Sequence, residues 1–97
     1  MYSVAREKDA MRITHNKLDD QISCDIQSCL SDLVMCGIAI NVTDSQGVTT
    51  PKNDPLIDKA VELYCKAQAD YQGEANRYNR AYESLRGAMQ ACGDYRL

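Results

Sequence analysis

Apolar residues recur at the helical period in three long stretches of this chain, and the residues between those stretches are ones that start, stop or turn helices. In the first stretch Leu18, Ile22, Ile26, Cys29, Leu30 and Leu33 fall on one side of a helix, while Asp19, Asp20, Gln21, Asp25, Gln27, Ser28 and Asp32 take the other. The spacing predicts a helix of about 17 residues, roughly 25 Å long, starting near Asn16 or Asp19. Asp19 and Asp20 then sit at the positive end of its dipole, and Gly37 supplies the left-handed residue that ends it.

Asp54-Pro55 is the strongest local signal: the Asp caps free amides, and the Pro that follows has no amide to leave unsatisfied. The helix it opens is predicted to reach about Tyr71, burying Ile57, Ala60, Val61, Tyr64, Cys65, Gln68 and Tyr71 before Gly73 breaks it. A last helix from about Glu74 to Cys92 carries Tyr78, Ala81, Tyr82, Leu85, Ala88, Met89 and Cys92 on one stripe, with Gly93 as its stop. Gly87 lies inside that helix at a cost of about 0.8 to 1 kcal/mol relative to Ala, so another group is expected to approach its backbone closely. Near the N-terminus Ser3 can cap a short helix through Met11, with Val4, Ala5, Lys8 and Met11 on a shallow face.

The connections are less structured. Residues 38–42 alternate over too few positions for a sheet of their own and predict an extended crossing at most. Residues 43–53 collect Thr, Asp, Ser, Gln, Gly, Pro and Asn, the composition of a mobile, exposed loop. No internal repeat or low-complexity tract appears. The fold class expected is therefore all-α, a single domain over residues 1–97: three main amphipathic helices, a short N-terminal one, a mobile loop at 42–53 and a C-terminal tail at 93–97.

Size sharpens this picture. A chain of 97 residues buries only roughly 60 to 65% of the surface its unfolded form exposes, so wide apolar helix faces are hard to hide within one copy. With no Trp, no Phe and six Tyr, all its large rings carry a polar tip suited to half-buried positions and interfaces. A net charge of −3 removes the overall phosphate-neutralising term on which nucleic-acid binding depends. The five cysteines, Cys24, Cys29, Cys36, Cys65 and Cys92, form an odd set without a CxxC pair and read as reduced, mostly buried thiols of a cytosolic protein. A zinc site lacks close ligand pairs and has one histidine to draw on. No run of 18 apolar residues and no signal-peptide layout occurs, so neither secretion nor membrane insertion is expected.

Candidate chemistry is sparse. His15 stands alone in a turn, without the partner a general base needs, and reads as a cap or surface residue. Cys24 is on a polar side with no cation placed to lower its pKa. The carboxylates Asp19, Asp20, Asp25 and Asp32 lack the glycine-turned loop of a calcium site and form a solvated acidic face; lining a channel, such a face would let DNA slide without sticking. Tyr64, Tyr71, Tyr78 and Tyr82, near Arg77, Arg80 and Arg86, suit core or subunit contacts better than base stacking. No cofactor, metal or catalytic residue is expected.

Met11-Arg-Ile-Thr14, Leu18-Asp-Asp-Gln-Ile22, Leu30-Ser-Asp-Leu33, Gly37-Ile38, Asp54-Pro-Leu-Ile57, Tyr64-Cys-Lys-Ala67, Ala75-Asn-Arg-Tyr78, Ala81-Tyr-Glu-Ser-Leu85 and Gly93-Asp-Tyr95 stand in an order and spacing that resembles the head–tail connector proteins of tailed bacteriophages. The similarity runs from about Ala5 to Arg96 and rests on helix boundaries and caps. Two places depart from the family pattern: Gln72-Gly73-Glu74 replaces an Asn-Pro helix start, and Gly87 replaces a bulkier residue.

The resemblance implies a structural virion protein of the neck, assembled in the host cytoplasm, whose copies form a ring of about twelve under the portal vertex. That ring would extend the DNA channel, bind the portal protein and offer a platform to a downstream neck or tail protein, with genomic DNA passing through and no membrane involved. Carried onto this sequence, it assigns Gly93, Asp94, Tyr95, Arg96 and Leu97 to the portal or partner. Val42, Thr43, Val48, Tyr71, Tyr78, Tyr82 and Gly87 become ring contacts, and Asp19, Asp20, Asp25 and Asp32 face the channel. On this reading, deleting residues 94–97 abolishes portal association and leaves the helical circular dichroism unchanged. The competing readings are a small phage regulatory protein that binds a host protein through its helical faces, and a helix-turn-helix nucleic-acid binder built on Arg77, Arg80 and Arg86.

Overall fold

Among the described residues four α-helices form, close to where the periodicity places them. The computed structural model describes residues 1–13, 17–69 and 71–96, with Asp94 described by its backbone. The expectations attached to His15, to a cap at Asn16 and to Leu97 fall outside these residues. Helix α1 spans Val4–Ala10, and the Ser3 side chain accepts from the Arg6 amide at its start. Helix α2 spans Asp19–Met35, α3 spans Pro55–Gln68 and α4 spans Ala75–Ala91.

The end of α2 is a Schellman stop. Gly37 takes φ +81, its amide donates to the Val34 carbonyl at 2.9 Å, and the Ile38 amide donates to the Leu33 carbonyl at 2.9 Å. Leu33 and Ile38 flank that stop and are both fully buried, so the turn also drives the chain back into the core.

The extended crossing expected over 38–42 continues into a hairpin where a loop was expected over 43–53. Strand β1, Asn41–Thr43, pairs antiparallel with β2, Thr49–Pro51, in the register Asn41↔Pro51, Val42↔Thr50 and Thr43↔Thr49. Asp44 explains why so short a sheet closes: its carboxylate accepts from the Gln46 and Val48 amides at 2.9 and 3.0 Å, and Gly47 takes φ +81. The result is a three-residue hairpin turn, with the Asp44 amide donating to the Val48 carbonyl at 3.0 Å. Turn chemistry that reads as disorder in composition here organises a hairpin.

Helix α3 is the central element, packed against α4, α2 and α1. Its buried surface is consequently wider than one stripe: Asp58, Leu63 and Ala67 join Ile57, Ala60, Val61 and Cys65, while Tyr64 is only half-buried. Gln68, expected inside, is exposed in the last turn, where its amide stays hydrated instead of facing apolar neighbours. The helix stops at Gln68, and Tyr71–Gly73 form a 3-10 turn with Gln72 at φ 56 before α4 begins.

Helix α4 buries less than expected. Tyr82 and Met89 are inside, Tyr78, Leu85 and Cys92 are half-buried, and Ala81 and Ala88 are exposed, the narrow seam left when a helix meets one principal neighbour. Gly93 does not end α4 in a left-handed conformation. Cys92 is extended there, and Gly93–Tyr95 turn as a 3-10 segment instead. In α1 the fully buried residue is Glu7, whereas Ala5 is exposed. Leu18, expected on the apolar face of α2, is 41% exposed at its N-cap.

Candidate interaction surfaces

The hairpin is exposed along its whole length. Residues 41–51 are all exposed, and the register puts Val42, Val48 and Thr50 on one face of the ribbon. An isolated two-stranded hairpin is at best marginally stable in water, and this one leaves Val42 46% and Val48 52% exposed. Beside its root, Leu30, Val34 and Met35 of α2 and Ile40 line a shallow groove with Tyr2. Met35 is 86% exposed. Sequence reasoning passed over Val34 and Met35 because they lie off the stripe of α2. The signal was present in the run Leu33-Val34-Met35-Cys36, which is apolar all round where one face would suffice.

The C-terminal segment is not a free arm. Tyr95 is buried, its hydroxyl donates to Asp54 Oδ2 at 2.7 Å, and the Ala39 amide donates to its carbonyl at 2.6 Å. Arg96 bridges to Ile38, and the Lys52 ammonium lies 5.0 Å from the centre of the Tyr95 ring. Asp54 thus serves two elements, since its Oδ1 caps α3 by accepting from Leu56 at 2.8 Å. Partial burial opposes its ionisation, but the Tyr95 hydroxyl, the Leu56 and Ile57 amides and the Lys52 charge outweigh that and hold the carboxyl below its ordinary value. Of the tail residues, Tyr95 faces inward, while Gly93 and Arg96 are exposed.

A second polar node joins α2 to α4. The Tyr82 hydroxyl donates to Asp32 Oδ2 at 2.6 Å, and Arg86 donates to the same oxygen at 2.8 Å. Cys29 lies behind, with its thiol 3.8 Å from the Tyr82 oxygen and 3.9 Å from the Ala60 carbonyl. Burial pushes the Cys29 thiol up to about 12, and Cys65 is raised too, so both stay protonated and inert. The Tyr82 ring meets Tyr64 edge-on, with centroids 5.3 Å apart. Tyr82 is therefore a core residue of its own chain, which corrects its assignment as a ring contact.

The acidic face is smaller than the periodicity suggested. Asp25 is buried and accepts from Gln21 at 3.0 Å, and Asp32 is held in the Tyr82–Arg86 node. Asp19 pairs with Lys8 at 3.0 Å, and Asp20 is exposed. Asp25 is inside because α1 and α3 pack against α2, whereas Asp32 stays partly exposed and is held by Tyr82 and Arg86 of α4. Arg86 is likewise tied to α2, so Arg77 and Arg80 are left exposed without it and no continuous basic face runs along α4. Tyr71 and Tyr78 are half-buried, with centroids 6.2 Å apart and the Lys66 ammonium 5.3 and 5.5 Å from their rings. At Gly87 no described residue beyond the helix's own neighbouring turns lies within 4 Å of where a Cβ would stand, so the close approach expected there is not seen within one copy. Among the described residues no group of three or more His, Cys, Asp or Glu could hold a metal ion, and no helix is long and apolar enough to cross a membrane.

The family comparison says what kind of protein carries these surfaces. The family model described as "Phage connector protein" matches residues 6–96. The chain belongs to the phage connector protein family. No match was found among curated proteins or among solved structures. The matched span takes in every surface of the connector described above: the hairpin, most of the α2 groove, the Asp32 node and the docked segment at Tyr95. As a member of that family the protein has a structural, connecting role in a phage.

Proposed function

We propose that this connector assembles with copies of itself into a ring at the portal vertex, where it joins the phage head to the tail and prolongs the DNA exit channel. The observation that carries this reading is the hairpin. Its eleven residues are exposed, Val42 at 46% and Val48 at 52% share one face of the ribbon, and its family is one of connecting proteins. Apolar groups left in water on a short ribbon are best explained by a neighbour that covers them. Repeated head-to-tail contacts close a ring when the rotation between copies fits, and many weak contacts then act together at one vertex.

Within this proposal, Val42, Thr43 and Val48 contact the next copy, with Tyr71, Tyr78 and the open side of α4 at Gly87 as secondary contacts. Gly93 and Arg96 face the portal protein or the next neck protein, and Asp19 and Asp20 are the acidic residues placed to face passing DNA. The particle neck is where the protein acts, after assembly in the host cell.

Replacing both Val42 and Val48 with Asp is expected to leave stability within about 0.5 kcal/mol of the parent, because both stand at exposed positions. Native mass spectrometry of the variant mixed with its portal protein should show free monomer where the parent forms a closed complex. Equal complex formation by the two proteins would remove the hairpin from the mechanism. Gly87→Ala separates a second contact from the fold. It should raise monomer stability by about 0.8 to 1 kcal/mol, since the position is helical and open, while the added methyl weakens assembly if a neighbour packs there. Stability is read by urea unfolding and assembly by sedimentation.

A further inference from the structure

Helix α1 is attached to the rest of the fold in an unusual way. Its seven residues are too few to be helical alone, so packing must hold it, yet the side chain it buries most completely is a carboxylate. Glu7 is 0% exposed, and its Oε1 accepts from Arg6 at 3.1 Å. Its Oε2 has no hydrogen-bond partner. Arg6 is itself partly exposed and also donates to the Asp58 carbonyl at 3.4 Å, so it neutralises Glu7 incompletely. An ionised group buried with an empty acceptor is among the most expensive features a core can contain.

The charged surroundings make matters worse. From α3, Asp58 and Glu62 add negative charge near Glu7, and the Cys65 thiol and the Cys29 thiol of α2 feel its field. Arg6, on its own helix, is the opposing cation. The rest of the attachment lies at the edges of the segment: the N-terminal ammonium and the Tyr2 amide on Asp58 at 3.3 and 2.8 Å, Lys8 on Asp19 at 3.0 Å, the buried Met11, and half-buried Tyr2, Val4 and Ile13 against the core.

We propose that α1 is a releasable clamp: the buried, half-satisfied Glu7 makes it the first element of this connector to detach, and detachment withdraws Tyr2 from the wall of the α2 groove. Leu30, now buried, then joins Val34 and Met35 in a wider apolar strip along α2. Docking of the clamp is tied to the charge on Glu7. Burial raises its pKa, with Arg6 opposing, so its docked state holds a proton more tightly than the released state. The stability this contributes is fully present below the ordinary glutamate value and is lost as pH rises through the raised one.

Native-state hydrogen exchange on the full chain tests this, using protection factors corrected for the intrinsic rate. At about pH 8 the Met11 and Ile13 amides, which bond to Glu7 and Lys8 carbonyls, should be protected at least roughly tenfold less than Val61 and Cys65 of α3. The gap should narrow at about pH 5, and in Glu7→Gln it should be smaller at pH 8 and no longer vary with pH. Equal protection of α1 and α3, or a wild-type gap that does not change with pH, overturns the proposal, as does a variant that tracks the wild type. The wild-type series decides alone if the variant does not fold. None of these readouts involves ring assembly, so the clamp and the ring stand or fall separately.

Discussion

Replacing Tyr95 with Ala is expected to destabilise the protein by about 3 to 5 kcal/mol, the range for removing a buried aromatic ring. The ring closes the core beside Ile38, and the hydroxyl ties the chain end to the cap of α3 through Asp54. Tyr95→Phe keeps the ring and removes only that hydrogen bond, so it should cost about 1 kcal/mol. For a domain of this size the first change lowers the Tm by more than about 10 °C and the second by several degrees. If the segment were a loose arm, both variants would melt with the parent. A consequence follows for experiments on assembly: deleting residues 94–97 removes this ring, so loss of portal binding in that deletion would reflect unfolding as much as docking. Arg96→Ala, which changes an exposed side chain, is the cleaner probe of a partner contact.

Asp32→Ala should cost about 1 to 3 kcal/mol, because it strands the buried Tyr82 hydroxyl without its acceptor and releases Arg86. Asp32→Asn retains an acceptor for Tyr82 and should fall between the variant and the parent. The change also carries a pH signature. Partial burial raises the Asp32 pKa, but the hydrogen bonds from Tyr82 and Arg86 and the guanidinium charge outweigh it and hold the carboxyl below its ordinary value. Its contribution is therefore complete above the ordinary aspartate value and fades as pH falls through the depressed one. Urea unfolding followed from neutral to acid pH should give a shallower acid decline for Asp32→Ala than for the parent. Parallel curves would mean that the node adds nothing to acid stability. Asp54 belongs to the same limb for the same reason, with Tyr95 in place of Tyr82.

The helices were legible because their signals are local. Asp54-Pro55 caps α3, Gly37 stops α2, and the spacing of Ile22, Ile26, Cys29 and Leu33 marks a face that is buried. Family membership was legible for a related reason, since caps and spacings spread along the whole chain survive in one dimension. The surfaces fared differently. Asp25 looks from periodicity like a group turned to solvent, and Tyr82, on the apolar stripe, is given to a neighbouring copy by the resemblance; both are inside.

What the sequence by itself determined is where the helices lie and, at Gly37 and Asp54-Pro55, how α2 stops and α3 starts, because those choices depend on hydrogen bonds and contacts within about four residues. Tertiary structure alone decided which of those sides are shared. It placed α3 against three neighbours and so buried Leu63 and Ala67, folded Tyr95 back onto Asp54 across 41 positions, and closed Glu7 into a site with one empty acceptor. These outcomes depend on groups distant in the chain meeting in space, and no window of local sequence contains both partners.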